Sequence, residues 1–95
     1  MNQYELALVM SPEMDEEAMA AFLNKVSQWI TDGSGQVIKI EQWGRRKLAY
    51  PIRKFRDGYY VFIITEMGPG SVKTLVQNFN ISEVVLRYFV TRKDD

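Results

Sequence analysis

Strand-like patterns occupy four stretches of the chain. Residues 4–10 are almost entirely apolar, and residues 37–43 follow a glycine-rich break. Residues 59–66 and 84–92 are rich in β-branched and aromatic side chains, which is typical of strands. These four stretches predict a sheet of four strands.

The segment between the second and third strands also favours an extended backbone. Pro51 restricts it to an edge strand or a protruding arm, because proline has no amide hydrogen to donate to a neighbouring strand. Asp57-Gly58 is a strong hairpin signal, so we expect the turn before the third strand there.

Two other stretches repeat apolar residues at helical spacing. The first begins at Ser11-Pro12, since serine can cap a helix and proline suits its first position, and it ends at residues 32–35. The second follows Gly68-Pro69-Gly70. Their apolar stripes are Ala18, Phe22, Val26 and Ile30 in the first, and Val72, Leu75, Val76 and Phe79 in the second.

The order β-α-β-β-α-β predicts an α+β fold of the ferredoxin-like type, as a single domain over residues 1–95. Four antiparallel strands would carry both helices on one face. The opposite, open face would receive alternate residues of the third strand, and its charged member decides which set: Tyr60, Phe62, Ile64 and Glu66.

Composition excludes several kinds of chemistry. The 95 residues include no cysteine and no histidine, which removes thiol nucleophiles, thiolate metal sites and the commonest general base. The acidic group Glu13, Asp15, Glu16 and Glu17 suits the start of a helix, whose dipole favours negative charge, better than a paired-carboxylate or metal site. We therefore predict no enzyme activity, no metal, no cofactor and no small-molecule substrate.

The sequence also predicts the cellular location of the chain. No apolar run approaches the roughly 18–20 residues that span a bilayer, and the first residues do not resemble a signal peptide. We therefore expect no membrane partner and a cytoplasmic location.

The net charge of zero conceals a strong asymmetry. Residues 1–36 carry six acidic side chains and one basic side chain, whereas residues 37–56 carry seven basic side chains and one acidic. The basic segment Trp43–Arg56 alternates cations with apolar and aromatic residues, a pattern typical of nucleic-acid surfaces. Its basic residues after Trp43 are Arg45, Arg46, Lys47, Arg53, Lys54 and Arg56. The alternative is a solvated edge strand whose charges prevent aggregation.

The open face offers a second candidate surface. Tyr60 and Phe62 would expose aromatic area there, together with Phe89 and Arg87 of the last strand. The third strand does not match the aromatic signature of RNA-recognition-motif domains, which favours a protein contact on this face. Arg87 and Arg92 fit an RNA contact and an ordinary surface charge equally well.

The block Trp43-Gly44-Arg45-Arg46-Lys47-Leu48-Ala49-Tyr50-Pro51-Ile52 closely resembles the family of the sixth protein of the bacterial small ribosomal subunit. Tyr4-Glu5, Gly58-Tyr59, Glu66 and Val84-x-Leu86-Arg87 also stand where that family has them, so the resemblance extends over essentially the whole chain.

The resemblance implies a ribosomal protein that binds the central domain of small-subunit ribosomal RNA jointly with the eighteenth small-subunit protein. The alternative is a protein-interaction module whose RNA contact is indirect. Carried over by position, Tyr4, Arg46, Tyr50 and Arg87 become functional candidates. With the pattern above, the expected RNA-binding residues are Tyr4, Arg45, Arg46, Lys47, Arg53, Lys54, Arg56, Arg87 and Arg92. The expected partner-protein-binding residues are Trp43, Leu48, Tyr50, Ile52, Tyr60, Phe62 and Phe89.

Overall fold

A computed structural model describes residues 1–93 of the chain. Its elements are β1 (Asn2–Met10), α1 (Glu16–Asp32), β2 (Gln36–Ile52), β3 (Phe55–Met67), α2 (Pro69–Ile81) and β4 (Val85–Arg92). The strands form one antiparallel sheet in the order β2-β3-β1-β4. The predicted ferredoxin-like fold and its element order are confirmed.

The core lies between the sheet and the two helices. Alternate residues of the central strands, among them Leu6 on β1 and Ile63 on β3, are fully buried against the helices. Val26 of α1 and Phe79 of α2 fill the other side of the same cluster. The strand period of two and the helix period of 3.6 thus direct apolar residues to one interior.

The other face of the sheet carries no helix. Tyr60, Phe62 and Ile64 of β3 are half-buried there, and Phe89 of β4 is 52% exposed, so the predicted side-chain directions are confirmed. The same face carries Trp43 of β2, also 52% exposed. Aromatic surface of this extent is unusual on a protein without partners.

The predicted turn at Asp57-Gly58 is wrong. Both residues lie inside β3, and the hairpin instead turns at Arg53 and Lys54, whose φ angles of 48° and 72° suit a two-residue turn. Gly58 has a different role. A Cβ atom there would lie 2.8 Å from Cγ1 of Val9 and 3.0 Å from the carbonyl oxygen of Met10, so glycine permits a close approach between β3 and the end of β1.

The start of α1 also differs from the prediction. The cap is Asp15, whose Oδ1 accepts a hydrogen bond of 2.7 Å from the amide of Ala18. Ser11 stays outside the helix: its hydroxyl accepts from the amide of Glu13, and its own amide donates to the carbonyl of Val84. The predicted apolar stripe also differs at its first position, since Ala18 is exposed and Met19 is buried instead. No helix of residues 1–93 is long and apolar enough to cross a bilayer.

Candidate nucleic-acid and protein interface

The basic arm, residues 44–56, is the distal part of the β2–β3 hairpin. A register shift between Gln42 and Gly44 marks its base, and Gly44 has a φ of 82° that favours glycine. A second shift between Lys47 and Ile52 precedes the tip. Bulges of this kind bend a hairpin, and here the arm turns back over the end of its own sheet.

Three contacts hold the arm against the sheet. Leu48 is buried in a small cluster with Val9 and Leu86. At the tip, Nη1 of Arg53 donates a hydrogen bond of 2.9 Å to the carbonyl oxygen of Glu83, before β4. Nη1 of Arg87 donates to the phenol oxygen of Tyr50 at 2.5 Å.

These contacts change the assignment of Leu48. It was predicted to bind a partner protein, but it is 8% exposed and packs within its own chain. Ile52, half-buried, packs against the same cluster, as does Tyr60. Leu48, Ile52 and Tyr60 thus lie beneath the surface that the arm and the sheet form together. Tyr50, which is 56% exposed, forms the rim of that surface.

An apolar groove of about 290 Å³ remains between the arm and the open face of the sheet. Its floor includes Ala7 and Val9 of β1. Its walls include Tyr50 from the arm together with Phe62 and Phe89 from the sheet. Arg87 lies at its border, with its guanidinium carbon 5.6 Å from the Tyr50 ring centroid and 5.0 Å from that of Phe89.

A second cluster surrounds Trp43 at the base of the arm. Its ring centroid lies 4.7 Å from that of Phe62, and the guanidinium carbon of Arg46 lies 5.8 Å from the indole centroid. The indole Nε1 donates to Oε2 of Glu41 at 3.2 Å, and Oε1 of Glu41 lies 2.8 Å from Nζ of Lys39. The hydrogen bond from Lys39, followed by the hydrogen bond from Trp43 and the charge of Lys39, lowers the pKa of Glu41.

The basic residues of the arm divide into two groups. Nε of Arg45 lies 2.7 Å from Oδ2 of Asp57, and the hydrogen bond and charge of that carboxylate raise the pKa of Arg45. In contrast, Lys47, Lys54 and Arg56 are exposed and form no ion pair with any acidic residue among residues 1–93. The second group is therefore available to an anionic partner.

Two predicted RNA-binding residues lie away from the arm. Tyr4 is 8% exposed and belongs to the helix-covered core, so its ring is not part of the surface. Arg92 stands five residues after Arg87 on β4, which corresponds to roughly 17 Å along a strand. Nη2 of Arg92 donates to Oδ1 of Asn2 at 3.1 Å.

Sequence reasoning missed two participants. Asp57 was interpreted as a turn residue, although an acid in β3 opposite a basic strand becomes a visible pairing candidate once the hairpin register is known. Ala7, on the groove floor, gives no signal because a single alanine in an apolar strand does not indicate which residues will stand beside it in the sheet. Among residues 1–93 no group of three acidic side chains is arranged to hold a metal ion.

Comparison with known proteins identifies the family. The model of the family described as Ribosomal protein S6 matches residues 3–92. The small ribosomal subunit protein bS6 of Moorella thermoacetica is 39% identical over 95 residues, which cover 100% of this chain and 97% of that protein. The protein of the same name from Chlamydia pneumoniae is 42% identical over 91 residues, covering 96% of this chain and 81% of that protein.

A solved structure agrees with these matches. The crystal structure of 30S ribosomal protein S6 from Thermotoga maritima matches this chain with a TM-score of 0.90 and 26% sequence identity. The match covers 97% of this chain and 87% of the Thermotoga chain. The resemblance inferred from the arm sequence is thereby confirmed, and the chain belongs to the ribosomal protein S6 family of the bacterial small ribosomal subunit.

Proposed function

We propose that this chain binds the central domain of small-subunit ribosomal RNA together with the eighteenth small-subunit protein. The observation that carries the proposal is the two-sided arm. Lys47, Lys54 and Arg56 project from it without acidic partners among residues 1–93, whereas its apolar side encloses the groove.

The basic side of the arm suits the RNA backbone. Each cation that contacts a phosphate releases condensed counterions, so binding weakens as salt concentration rises. Arg46, beside the exposed indole of Trp43, adds a cation and a flat apolar face that RNA-binding surfaces also use. A folded arm presents these groups in one orientation, which reduces the entropy lost on binding.

The groove side suits a protein. Tyr50 and Phe89, which line the groove, are each more than half exposed, and burying large exposed apolar residues against a partner stabilises the complex. Aromatic residues are also enriched where protein interfaces are strongest. The two sides of one arm thus support simultaneous contact with RNA and protein.

The relatives' names support the setting of this function. Both sequence relatives are named as small ribosomal subunit proteins, and neither name denotes an enzyme. We assign this chain a structural role in the small subunit of the cytoplasmic ribosome, with assembly of the central domain as its contribution.

Binding to a central-domain RNA fragment, with and without the eighteenth protein, tests this function. The variant Lys54→Ala plus Arg56→Ala should weaken binding and lower the slope of log affinity against log salt by about 0.7–0.9 for each lost phosphate contact. The matched control is Lys25→Ala plus Lys73→Ala, which removes the same charge from exposed positions of the two helices. Equal slopes for the two double variants would contradict a direct RNA contact.

The same measurement distinguishes the alternative function, a protein-interaction module with indirect RNA contact. Arg45, Arg53 and Arg87 each bond to a group of their own chain, which is the observation that favours this alternative. RNA binding that requires the eighteenth protein and ignores the arm substitutions would establish it.

A further inference from the structure

The groove beside the arm has room for one large apolar side chain. A cavity of about 150 Å³ lined by aliphatic and aromatic residues already binds benzene. This groove measures about 290 Å³, enough for such a ring with a short extension. Its size therefore suits a single anchoring residue better than a flat interface.

The space exists because a small residue stands between two large ones. In the sheet register Ala7 is directly opposite Phe62 on one side and Phe89 on the other. Directly opposed residues have Cβ atoms about 5 Å apart, so the two rings stand beside a gap above the alanine methyl. The arm residue Tyr50 completes the rim.

Arg87 supplies the one charge at this groove. Of the lining residues, which all lie within the described chain, no other carries a charged side chain. Its guanidinium lies beside the rings of Tyr50 and Phe89, and the hydrogen bond to Tyr50 fixes its direction. That bond uses one of five N–H donors, while bidentate binding of a carboxylate requires two.

We infer that the groove binds a protein segment that presents an aromatic or branched apolar side chain with a carboxylate beside it. The apolar group enters the space above Ala7, and the carboxylate pairs with Arg87. This inference rests on the proposed function in that it specifies what the protein-facing side of the arm recognises. It moves Arg87 from the predicted RNA contacts to the protein contacts.

An RNA base fits the groove less well. The edges of a nucleobase carry several donors and acceptors that lose water on burial and need partners. The floor and walls are formed mostly by alanine, valine, leucine, isoleucine and phenylalanine side chains, which supply none. A phosphate could meet Arg87, but it would leave the apolar space unfilled.

Small probes test the chemistry directly. We would titrate the ¹⁵N- and methyl-labelled chain with 3-phenylpropionate, 3-phenylpropylamine and uridine 5′-monophosphate, following the signals of Ala7, Ala49 and Phe89. Phenylpropionate should bind with a dissociation constant on the order of millimolar, as expected of a small fragment, and at least about tenfold more tightly than the amine. Equal binding of acid and amine would overturn the role of Arg87. Binding of the nucleotide alone would overturn the inference in favour of RNA.

Two variants test the apolar space and the charge of Arg87 independently. Ala7→Leu fills the space and should abolish phenylpropionate binding, whereas Arg87→Gln should weaken it at least about tenfold and erase the preference over the amine. Lys25→Gln on α1 is the control and should bind as the unchanged chain does. If Ala7→Leu fails to fold, as judged by its thermal transition, Ala49→Leu at the exposed rim replaces it. Unchanged fragment binding in the filled variant would contradict the proposed location.

The eighteenth protein then links the groove to the proposed function. Ala7→Leu should weaken its binding at least about tenfold and leave the salt slope for RNA unchanged. If fragments bind in the groove but neither RNA nor the eighteenth protein binds the chain, the proposed function fails and the groove chemistry stands. If RNA and the eighteenth protein bind while phenylpropionate does not, the groove chemistry fails and the proposed function stands.

Discussion

Arg45 on β2 and Asp57 on β3 are diagonal neighbours at the base of the arm, and two hydrogen bonds join them. Nε of Arg45 lies 2.7 Å from Oδ2 of Asp57, and Nη2 lies 3.3 Å from Oδ1. This fork geometry directs the guanidinium to the carboxylate and away from solvent anions. The most basic block of the sequence therefore presents less positive charge to a partner than its composition suggests.

Asp57→Asn should strengthen RNA binding. Loss of the carboxylate frees Arg45 to contact a phosphate and removes a negative charge opposite Lys47, its cross-strand partner. One added contact steepens the slope of log affinity against log salt by about 0.7–0.9. Titrations of the central-domain RNA fragment at several salt concentrations measure this change. Stability should hardly move, because the pair is exposed to solvent.

Asp32→Asn is the matched control for that experiment. It makes the same change of charge at the end of α1, on the helix side of the sheet. A general effect of net charge would raise affinity equally in both variants. An equal rise would therefore count against a specific role for the Arg45–Asp57 pair.

Glu41 gives the Trp43 environment a predictable pH dependence. Because the folded chain lowers its pKa, the carboxylate contributes stability that is present above its ordinary pKa of 4.5 and is lost as the pH falls through the lowered value. Protonation weakens both the bond from the Trp43 indole and the pairing with Lys39. Trp43 fluorescence should therefore show a transition below pH 4.5.

Substitution identifies the group that titrates. Glu41→Gln should remove the fluorescence transition, whereas Glu5→Gln, at a carboxylate that borders the same part of the open face, should preserve it. The other tryptophan, Trp29, packs against Phe22 and Phe79. Its fluorescence should therefore be the same in every variant and can be subtracted. A transition that survives in Glu41→Gln would show that another group controls the indole.

The element order was predictable because each strand and helix carries its own period. The hairpin turn was not, because Asp57-Gly58 has the composition of a turn whatever its role. The role of Gly58 within β3 depends on a tertiary contact, because its missing side chain makes room for Val9. Arg53 and Lys54 gave no comparable signal, since neither residue type is favoured at positive φ.

The candidate site, too, was predictable from the sequence only in part. Local charge predicted which residues could meet RNA, and alternation predicted the open face. Neither could reveal that Leu48 is buried against Leu86 or that Tyr50 accepts a hydrogen bond from Arg87, since these pairs are far apart in the chain. Both depend on how the arm bends at Gly44, which sequence periodicity does not encode.

Thr65→Val should stabilise the fold. Thr65 is fully buried, and its hydroxyl oxygen has no hydrogen-bond partner within the described residues. Valine has nearly the same shape and removes a buried unsatisfied group, so the free energy of unfolding should rise by about 1 kcal/mol. Thr31→Val is the control, because the exposed Thr31 hydroxyl donates to the carbonyl of Ser27. Urea denaturation of both variants measures the difference, and a destabilised Thr65→Val would indicate that the hydroxyl has a partner such as an internal water.

Lys54→Gly should stabilise the chain and weaken its RNA binding. With a φ of 72°, Lys54 occupies the left-handed region, which costs a residue with a Cβ about 1–2 kcal/mol. Glycine removes this cost but gains more freedom in the unfolded chain, so we expect a net rise of about 0.5–1 kcal/mol in the free energy of unfolding. The lost charge should lower the salt slope for RNA by about 0.7–0.9.

Lys54→Ala separates these two effects, because it removes the charge and retains the unfavourable φ. It should reproduce the fall in salt slope without the gain in stability. If both variants kept the full slope, the tip of the arm would not touch RNA, and the cost of its backbone would lack a functional reason. If both lost it equally while only glycine gained stability, the strained tip would be retained for the side chain that it presents.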